Sequence, residues 1–384
     1  MWKVTDSTLC KDVPVDTIVV RTYTGEPRAD SGVLHRLLFA FPNFPPWIPD
    51  ESMAWLPWFV PAALREIRRH LAQVIYATGG PFSVLVLGAV LKSLTSLPLV
   101  VDFRDEWMLD PAFMQGRGPQ RRWWFFLDYA LQDWVVRQAD RVVLVSDHAR
   151  EVFKRRYELY SMDKFVTIRN GYDPADFEAA ILPSLPPDKL NIALVGTPSI
   201  REFRPETFFR GMRLAIDMDE SFRNHIRVYF VGGEDIPSQL SCAEEGLDSY
   251  VTFLGYHAHH ESVGFLKQAD LLLLISRSFP VDNNRITCRV PGKLYEYLGS
   301  GKPVLVLAPR DSEALGLLEK ANLAFWADPE DPTDIARMLI HLEGLWRRGA
   351  LKVDPNWAFI RTLTRQRQAE QLAGVLDAVL ESRC

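Results

Sequence analysis

The chain has 384 residues, enough for two domains, and its hydrophobic share of 47% and charged share of 24% are those of a soluble globular protein. A net charge of -5 argues against a dedicated nucleic-acid-binding protein, which usually carries a basic domain. The four cysteines form no CxxC pair and no zinc-type spacing, so the sequence predicts a cytoplasmic protein in a reducing environment.

Strands and helices alternate through the first half of the chain. Predicted strands cover residues 17–21, 74–78, 99–103, 141–146 and 165–168, and predicted helices cover residues 64–73, 83–94, 123–139 and 147–157. This βαβ rhythm predicts a parallel, doubly wound sheet. A Pro-rich stretch at residues 174–187 then predicts a linker between domains.

A second series of the same kind follows the linker. Predicted strands cover residues 191–195, 226–231, 251–254, 270–275 and 304–307, and predicted helices cover residues 207–217, 261–268, 312–321, 333–347 and 359–381. The predicted fold is therefore α/β, with two Rossmann-like domains, residues 1–180 and 188–355, that face a cleft. A C-terminal helix within residues 356–384 is expected to pack back on the first domain. In open α/β sheets ligands bind at the carboxyl ends of the strands, and the glycine turns of this chain lie there.

The stretch from Pro291 to Pro309 reads as a Pro-Gly turn, a short helix, and a buried strand after Gly301-Lys-Pro303. Lys293 and Glu296 are three residues apart, so they share one face near the helix N-terminus. Such a terminus suits a diphosphate, Lys293 adds a positive charge, and Glu296 can accept hydrogen bonds from a ribose diol. A capped surface helix with an i,i+3 ion pair fits the same pattern equally well.

With these motifs in order, the chain resembles the retaining glycosyltransferases of the GT-B fold, of the family-four (group 1) type. The second half carries Leu194-Val-Gly-Thr197, Phe230-Val-Gly-Gly233, Phe253-Leu-Gly255 and Val290-Pro-Gly-Lys-Leu-Tyr-Glu-Tyr-Leu298. The first half carries Ala77-Thr-Gly-Gly-Pro-Phe82, Val101-Asp-Phe-Arg-Asp-Glu-Trp107, Ala139-Asp-Arg-Val-Val143 and Arg169-Asn-Gly-Tyr-Asp173. The resemblance spans nearly the whole chain.

The resemblance implies a donor site in the second domain. Glu296 would hold the donor ribose, and Lys293 would lie beside the phosphates. Arg204 would contact the diphosphate, with Arg201 as a nearby substitute. The other donor-side residues that it implies are Gly196 and Thr197 near the phosphates, Gly255 and Tyr256 beside the nucleobase, and Pro291 and Gly292 before the helix.

The resemblance also implies an acceptor side in the first domain. Asp102, Arg104 and Asp105 end one strand and would face the cleft near the sugar or the acceptor, and Gly79 and Gly80 end the neighbouring strand. Arg204, Lys293 and Asp105 are the residues that it implies for catalysis. The sequence alone also allows the Asp102–Asp105 segment to be a structural ion-pair loop.

Two features depart from the family pattern. Many members carry a second glutamate eight positions before the ribose-binding one, and this chain has Cys288 there, with Asp282 as a candidate replacement. The family also opens with a strand and a Gly-rich turn, and about thirty residues of this first βα unit are missing from the N-terminal domain. A sheet without that strand would expose an unpaired edge.

The activity that the resemblance implies is transfer of a sugar from a nucleotide-sugar donor to a glycan or lipid-linked acceptor, with retention of configuration and without a cofactor or metal ion. A truncated, non-catalytic homologue that binds a nucleotide-sugar or a partner is the alternative, and a GT-B sugar-nucleotide epimerase is a further one. No nucleic-acid partner is expected.

Two aromatic stretches, residues 47–58 and 123–126, lie beside arginines: Arg65, Arg68 and Arg69 for the first, and Arg121 and Arg122 for the second. Tryptophans next to basic residues are typical of a peripheral membrane contact, here at the inner face of the plasma membrane. Burial of the tryptophans against the core explains the same pattern.

Overall fold

The computed structural model of the chain describes residues 13–23, 48–105, 107, 122–196, 205–233, 235–276 and 290–382. Within them the chain folds into two parallel sheets flanked by helices, as the sequence predicts. No helix in these ranges is both long enough and apolar enough to cross a membrane.

The first sheet has the order β1-β2-β3-β4, and all neighbouring strands are parallel. Its elements are α1 (Leu56–His70), β1 (Ile75–Thr78), α2 (Ser83–Thr95), β2 (Leu99–Phe103), α3 (Arg122–Gln138), β3 (Arg141–Leu144), α4 (Asp147–Arg156) and β4 (Phe165–Thr167). The central strand β2 is buried at every position, because helices cover both faces of a parallel sheet. In the described residues β1 is an edge strand.

The second sheet has the order β10-β9-β8-β5-β6-β7, again parallel throughout. Its strands are β5 (Leu190–Val195), β6 (Ile226–Val231), β7 (Val251–Gly255), β8 (Leu271–Ile275), β9 (Val304–Leu307) and β10 (Ala324–Ala327). The helices of this half are α5 (Pro174–Glu178), α6 (Glu206–Met218), α7 (Glu220–His225), α8 (Ile236–Glu244), α9 (His259–Gln268), α10 (Lys293–Ser300), α11 (Glu313–Lys320) and α12 (Pro332–Arg347). The strand order reverses between β5 and β8, which is where such sheets open a crevice for ligands.

Tyr297 of α10 contacts both strands, β5 and β8, at the point where the strand order reverses. The pairing of β5 with β8 covers Ile192 with Leu271 and Ala193 with Leu272. Beyond it the Tyr297 hydroxyl accepts the N–H of Val195 at 2.8 Å and lies 3.2 Å from the carbonyl oxygen of Leu273. One buried side chain of α10 therefore satisfies the backbone where the two strands separate.

The C-terminal segment returns to the first domain. It forms α13 (Trp357–Ile360), a 3-10 turn, and α14 (Arg365–Glu381). Val379 of α14 packs with Val100, Val143 and Ile168 of the first sheet. On its way back this segment passes close to the end of the first domain: a Cβ atom at Gly171 would lie 2.6 Å from the carbonyl oxygen of Leu363.

Several predicted elements differ from the structure. Residues 17–21, predicted as a strand, form none, and Ile18 and Val19 are exposed, because no described strand lies beside them. The predicted linker contains the short helix α5, whose Pro174 occupies the first turn, where proline is tolerated. Helix α1 begins at Leu56 instead of residue 64, since Pro57 also lies in a first turn.

Candidate functional site

A cavity of about 260 Å³ opens at the carboxyl ends of β5, β6 and β7. Its wall combines the glycine turns that end these strands with two phenylalanines and the first turn of α8. The lining residues are Leu194, Gly196, Phe230, Val231, Gly232, Gly233, Asp235, Gln239, Phe253, Leu254 and Gly255. Two predicted donor-side residues, Gly196 and Gly255, therefore lie in one cavity.

Gly196 links this cavity to the N-terminus of α10. Its φ is +119°, which strains any residue with a side chain. A Cβ atom there would also lie 3.0 Å from Cδ of Lys293. The close approach of Lys293 to the end of β5 thus requires glycine at position 196. The structure brings Gly196 and Lys293 together, as the sequence analysis expects of the phosphate side of the site.

Lys293 begins α10, directly after Pro291 and Gly292. Burial of its ammonium group lowers the pKa of Lys293 to about 8. The helix turns at once, since Leu294 and Tyr295 donate their N–H groups to the carbonyl oxygens of Pro291 and Gly292. Lys293 thus adds a positive charge at the N-terminus of α10, where the helix dipole favours an anion.

Glu296 lies one turn further along the same helix, half-buried. Burial raises the pKa of Glu296, and the positive charges of His259 and Arg365 act against that shift. His259 is itself paired with Asp176, at 3.0 Å between Nε2 and Oδ2. Glu296 is therefore not an exposed surface carboxylate but a partly desolvated one among charged neighbours.

The acceptor-side residues lie together at the carboxyl ends of β1 and β2. Asp102 is fully buried and accepts hydrogen bonds from the Tyr76 hydroxyl and from Nε of Arg104, the latter at 2.7 Å. Nη1 of Arg104 also donates to Asn170 Oδ1 at 3.2 Å. Asp102 thus fixes the guanidinium of Arg104, and the expected structural ion pair does exist here.

Burial dominates the electrostatics of this network. It raises the pKa of Asp102, against the effect of Arg104, and it raises the pKa of Tyr76 to about 12. Tyr76 therefore stays protonated as a donor to Asp102 at any physiological pH. Within this network Asp102 is fully buried, and the Arg104 side chain that it binds is 28% exposed.

Gly79, Gly80 and Asp105 complete the acceptor side. Gly79 donates its N–H to the carbonyl oxygen of Asp102 at 2.8 Å. Gly80 has a φ of +115°, and a Cβ atom there would lie 3.5 Å from Oδ2 of Asp105. The turn after β1 and the carboxylate after β2 are therefore neighbours, as their positions at one sheet edge predict.

Some predicted site residues are not placed. Thr197, Arg201, Arg204, Asp282 and Cys288 lie outside the described residues. Tyr256 is described, but it is 56% exposed and does not line the cavity, whereas its neighbour Gly255 does.

Two features of the site are not predicted from the sequence. Asp235 and Gln239 line the cavity from the N-cap and first turns of α8, a helix that was not predicted, although an aspartate before Ile236-Pro237 is a recognisable N-cap signal. The second feature is Glu313, which joins the two domains. No local pattern indicates that contact.

Glu313 of α11 reaches from the second domain to the N-terminus of α4. Its carboxylate accepts the N–H groups of Asp147 and His148 at 3.2 and 3.1 Å. It also pairs with Nη2 of Arg169 at 2.9 Å, and the same guanidinium binds Asp147. A carboxylate from one domain thus caps a helix of the other.

Family models match both halves of the chain. The model described as "Glycosyltransferase Family 4" matches residues 14–176, and the model described as "Glycosyl transferases group 1" matches residues 199–343. The chain belongs to the family-four (group 1) glycosyltransferases. The resemblance stated from the sequence is thereby confirmed, and the protein is a glycosyltransferase of the GT-B type.

Solved structures share the fold of this glycosyltransferase. Anabaena HepE in complex with UDP has a TM-score of 0.57 at 16% identity, over 83% of this chain and 82% of HepE. HepE in complex with UDP-glucose has a TM-score of 0.58 at 18% identity, over the same shares. Sucrose-phosphate synthase from Thermosynechococcus elongatus has a TM-score of 0.62 at 15% identity, over 88% of this chain and 81% of the synthase. The predicted fold class, two Rossmann-like domains of the GT-B type, is confirmed. Among curated protein sequences, none matches this chain.

Proposed function

We propose that this glycosyltransferase moves a sugar from a nucleotide-sugar donor to a glycan or lipid-linked acceptor with retention of configuration. The proposal rests on Gly196, which lines the cavity and also lies against Lys293 at the start of α10, so the cavity and the helix N-terminus are neighbours. A nucleobase in the cavity would leave its diphosphate at the N-terminus of α10. The cavity is smaller than the roughly 300–1,000 Å³ of pockets that enclose whole drug-sized ligands, so it suits one end of the donor.

Lys293 and the N-terminus of α10 would bind the diphosphate. Negative charge builds on that group as the bond to the sugar breaks, and cations placed in advance stabilise this charge more than the ground state. Arg204, or Arg201, would add a guanidinium, and Thr197 would follow the Gly196 turn; these three assignments rest on the resemblance. Pro291 and Gly292 would let the helix terminus approach the phosphates.

Glu296 would accept the two ribose hydroxyl groups. A half-buried carboxylate with a raised pKa accepts hydrogen bonds at a smaller desolvation penalty than one taken from bulk water. The face that Glu296 shares with Lys293 places ribose and phosphate on adjacent turns, as a nucleoside diphosphate requires.

Asp105, Arg104 and the Gly79-Gly80 turn would face the transferred sugar or the acceptor. In a retaining transfer the acceptor hydroxyl attacks from the face that the diphosphate leaves. Asp105 would orient that hydroxyl or take its proton, and Arg104, held by Asp102, would position a sugar hydroxyl. The anomeric configuration of the product, read from its proton NMR couplings, tests retention.

The proposed reaction needs no metal ion, because cationic side chains and a helix N-terminus can neutralise the leaving diphosphate. One Asp-x-Asp sequence, Asp217-Met-Asp219, lies at the C-terminus of α6, which leads into the amino end of the sheet, away from the cavity at the carboxyl ends of the strands. Asp217 pairs there with Arg213, and Asp219 accepts the N–H of Phe222. Full turnover in excess EDTA supports metal independence, and loss of turnover restored by Mg²⁺ or Mn²⁺ contradicts it.

UDP is the first nucleotide to test, because the HepE structures hold UDP and UDP-glucose. A thermal-shift screen of UDP-, GDP-, ADP- and dTDP-sugars, with Glu296→Ala and Arg204→Ala for comparison, tests the donor site. We expect a shift with wild type that both variants reduce. No shift with any nucleotide would contradict the proposal, and binding without turnover would favour the non-catalytic homologue.

A peripheral membrane contact at the cytoplasmic face would use exposed aromatic side chains of the first domain. Trp58 of α1 is 44% exposed and packs edge-on against Tyr23, near Arg65 and Arg69 on the same helix. Phe126 of α3 is 72% exposed. Co-sedimentation with vesicles that contain phosphatidylglycerol tests this contact, and Arg65→Glu combined with Arg69→Glu is expected to abolish it.

A further inference from the structure

We propose that the side-chain amide of Gln239 hydrogen-bonds the edge of the donor nucleobase. This inference rests on the proposed function, because it places the nucleobase in the cavity at the ends of β5, β6 and β7. It goes further by assigning the contact with the base edge to one side chain.

The wall of the cavity is mostly backbone and aromatic carbon. Phe230 and Phe253 stack with their ring centroids 4.9 Å apart and an interplanar angle of 30°. Gly255 has a φ of +72°, and a Cβ atom there would meet nothing within 4 Å, so its backbone lies open to a ligand. These groups suit a flat heterocycle but cannot by themselves distinguish one base from another, since every base has an apolar face.

The two polar side chains of the described wall are Asp235 and Gln239. They are four residues apart on α8 and therefore lie on one helical face. The exposed side chains of that helix, Ile236 and Leu240, lie on another face. Asp235 and Gln239 thus both border the cavity.

The carboxylate of Asp235 already accepts hydrogen bonds from within the protein. It accepts the N–H of Ser238 at 3.3 Å and the hydroxyl of the same serine, as the N-cap of α8. Gln239 uses its backbone N–H in the helix, bonded to the carbonyl oxygen of Asp235 at 3.1 Å. Among the described residues none hydrogen-bonds the side-chain amide of Gln239, so this amide is available to a ligand.

A glutamine amide offers one acceptor and one donor side by side. It therefore pairs with a base edge that carries an adjacent donor and acceptor. Uracil presents N3–H beside O4 and O2, which matches this pattern. Guanine also presents such a pair, O6 beside N1–H, but its N1–H and N2–H₂ groups form a pair of donors that matches a carboxylate better than an amide.

Isothermal titration of the full chain with UDP and with GDP tests the assignment. The variants are Gln239→Glu, which replaces the donor by an acceptor, and Gln239→Leu, which removes both. Gln73→Glu, an exposed glutamine of the first domain, is the matched control. Circular-dichroism melting shows that each variant is folded.

We expect Gln239→Glu to weaken UDP binding by about tenfold or more and to lower the ratio of UDP affinity to GDP affinity, because a carboxylate pairs with the two donors of guanine but not with uracil O4. Gln239→Leu should weaken UDP binding by about fivefold to tenfold without favouring GDP. Gln73→Glu should match wild type. Wild-type affinity for UDP in both Gln239 variants overturns the inference and leaves the proposed function standing. A folded wild type that binds neither nucleotide overturns both.

Discussion

Lys293 carries an electrostatic penalty in the free protein. Its ordinary pKa of 10.5 falls to about 8 because its ammonium is desolvated at the start of α10. The unfolded lysine keeps its proton between these two values, so the free energy of unfolding rises with pH across that window and the penalty is complete below pH 8. A bound diphosphate would remove this penalty by supplying the opposite charge.

The affinity for UDP should therefore depend on pH through Lys293. We expect the Kd of wild type to be constant near pH 7 and to rise above about pH 8, by up to tenfold per pH unit, as Lys293 loses its proton. Lys293→Met should bind at least about tenfold more weakly at pH 7 and show no such rise. Titration calorimetry from pH 7 to 9 measures both, with the exposed Lys320→Met as control. A parallel rise in Lys293→Met would exclude this lysine as its source.

Substitution of Glu296 should affect donor binding and the stability of the free protein differently. Replacing a desolvated carboxylate by an amide relieves its burial, so Glu296→Gln should melt at or above the temperature of the wild type when no ligand is present. Donor binding should weaken by roughly 1–3 kcal/mol, because an amide accepts fewer ribose hydrogen bonds. Differential scanning fluorimetry with and without UDP gives both numbers, and Glu381→Gln on α14 serves as the control. A lower melting temperature with full UDP response would make Glu296 a structural residue.

At the scale of elements, one hydroxyl keeps α10 attached where the second sheet divides. Tyr297→Phe removes the acceptor of the Val195 N–H, which then lies buried without a partner. We expect a loss of about 1–3 kcal/mol in the free energy of unfolding, measured by urea denaturation. Tyr229→Phe is a matched control, since its hydroxyl makes only a 3.5 Å contact with Asn191. Equal midpoints for the two variants would show that the bridge carries no stability.

Burial explains which elements the sequence predicts well. Residues 271–275 are aliphatic throughout because both faces of β8 are covered, and a continuous run of this kind is readable without any partner in view. Residues 17–21 contain the aliphatic run Ile18-Val-Val20, but strand formation also needs a neighbouring strand, which a local pattern does not contain. Strand β10 was not predicted, because it is only partly buried and its four residues, two of them aromatic, form no continuous aliphatic run.

The candidate site also has features that the local sequence predicts and features that depend on distant parts of the chain. Local spacing is enough to pair Lys293 with the helix N-terminus and to mark Gly196 as the glycine of a turn. That Lys293 lies against Gly196 depends on how α10 packs on β5, nearly a hundred residues away in sequence. Gln239 was not predicted as a site residue because its helix α8 was not predicted, and the order of the strands, which the local sequence does not contain, brings that helix to the cavity.

At the scale of the whole molecule, the two domains are joined at several separate places. The chain crosses once through the segment that contains α5 and returns through α13 and α14, which end on the first sheet. Glu313 adds a third link at the cleft itself, where its carboxylate is 9% exposed. Two covalent crossings hold the domains near each other, and opening of the cleft would also have to break the link at Glu313.

Removing that link should favour an open arrangement of the domains. Glu313→Ala leaves the N–H groups of Asp147 and His148 and one side of Arg169 without their acceptor, at an expected loss of about 1–3 kcal/mol. We expect a larger radius of gyration by small-angle X-ray scattering and faster turnover loss on heating, with UDP affinity unchanged because Glu313 does not line the cavity. The exposed Glu319→Ala on the same helix should behave as wild type. If Glu313→Ala scatters and melts as Glu319→Ala does, the two covalent crossings alone set the domain arrangement.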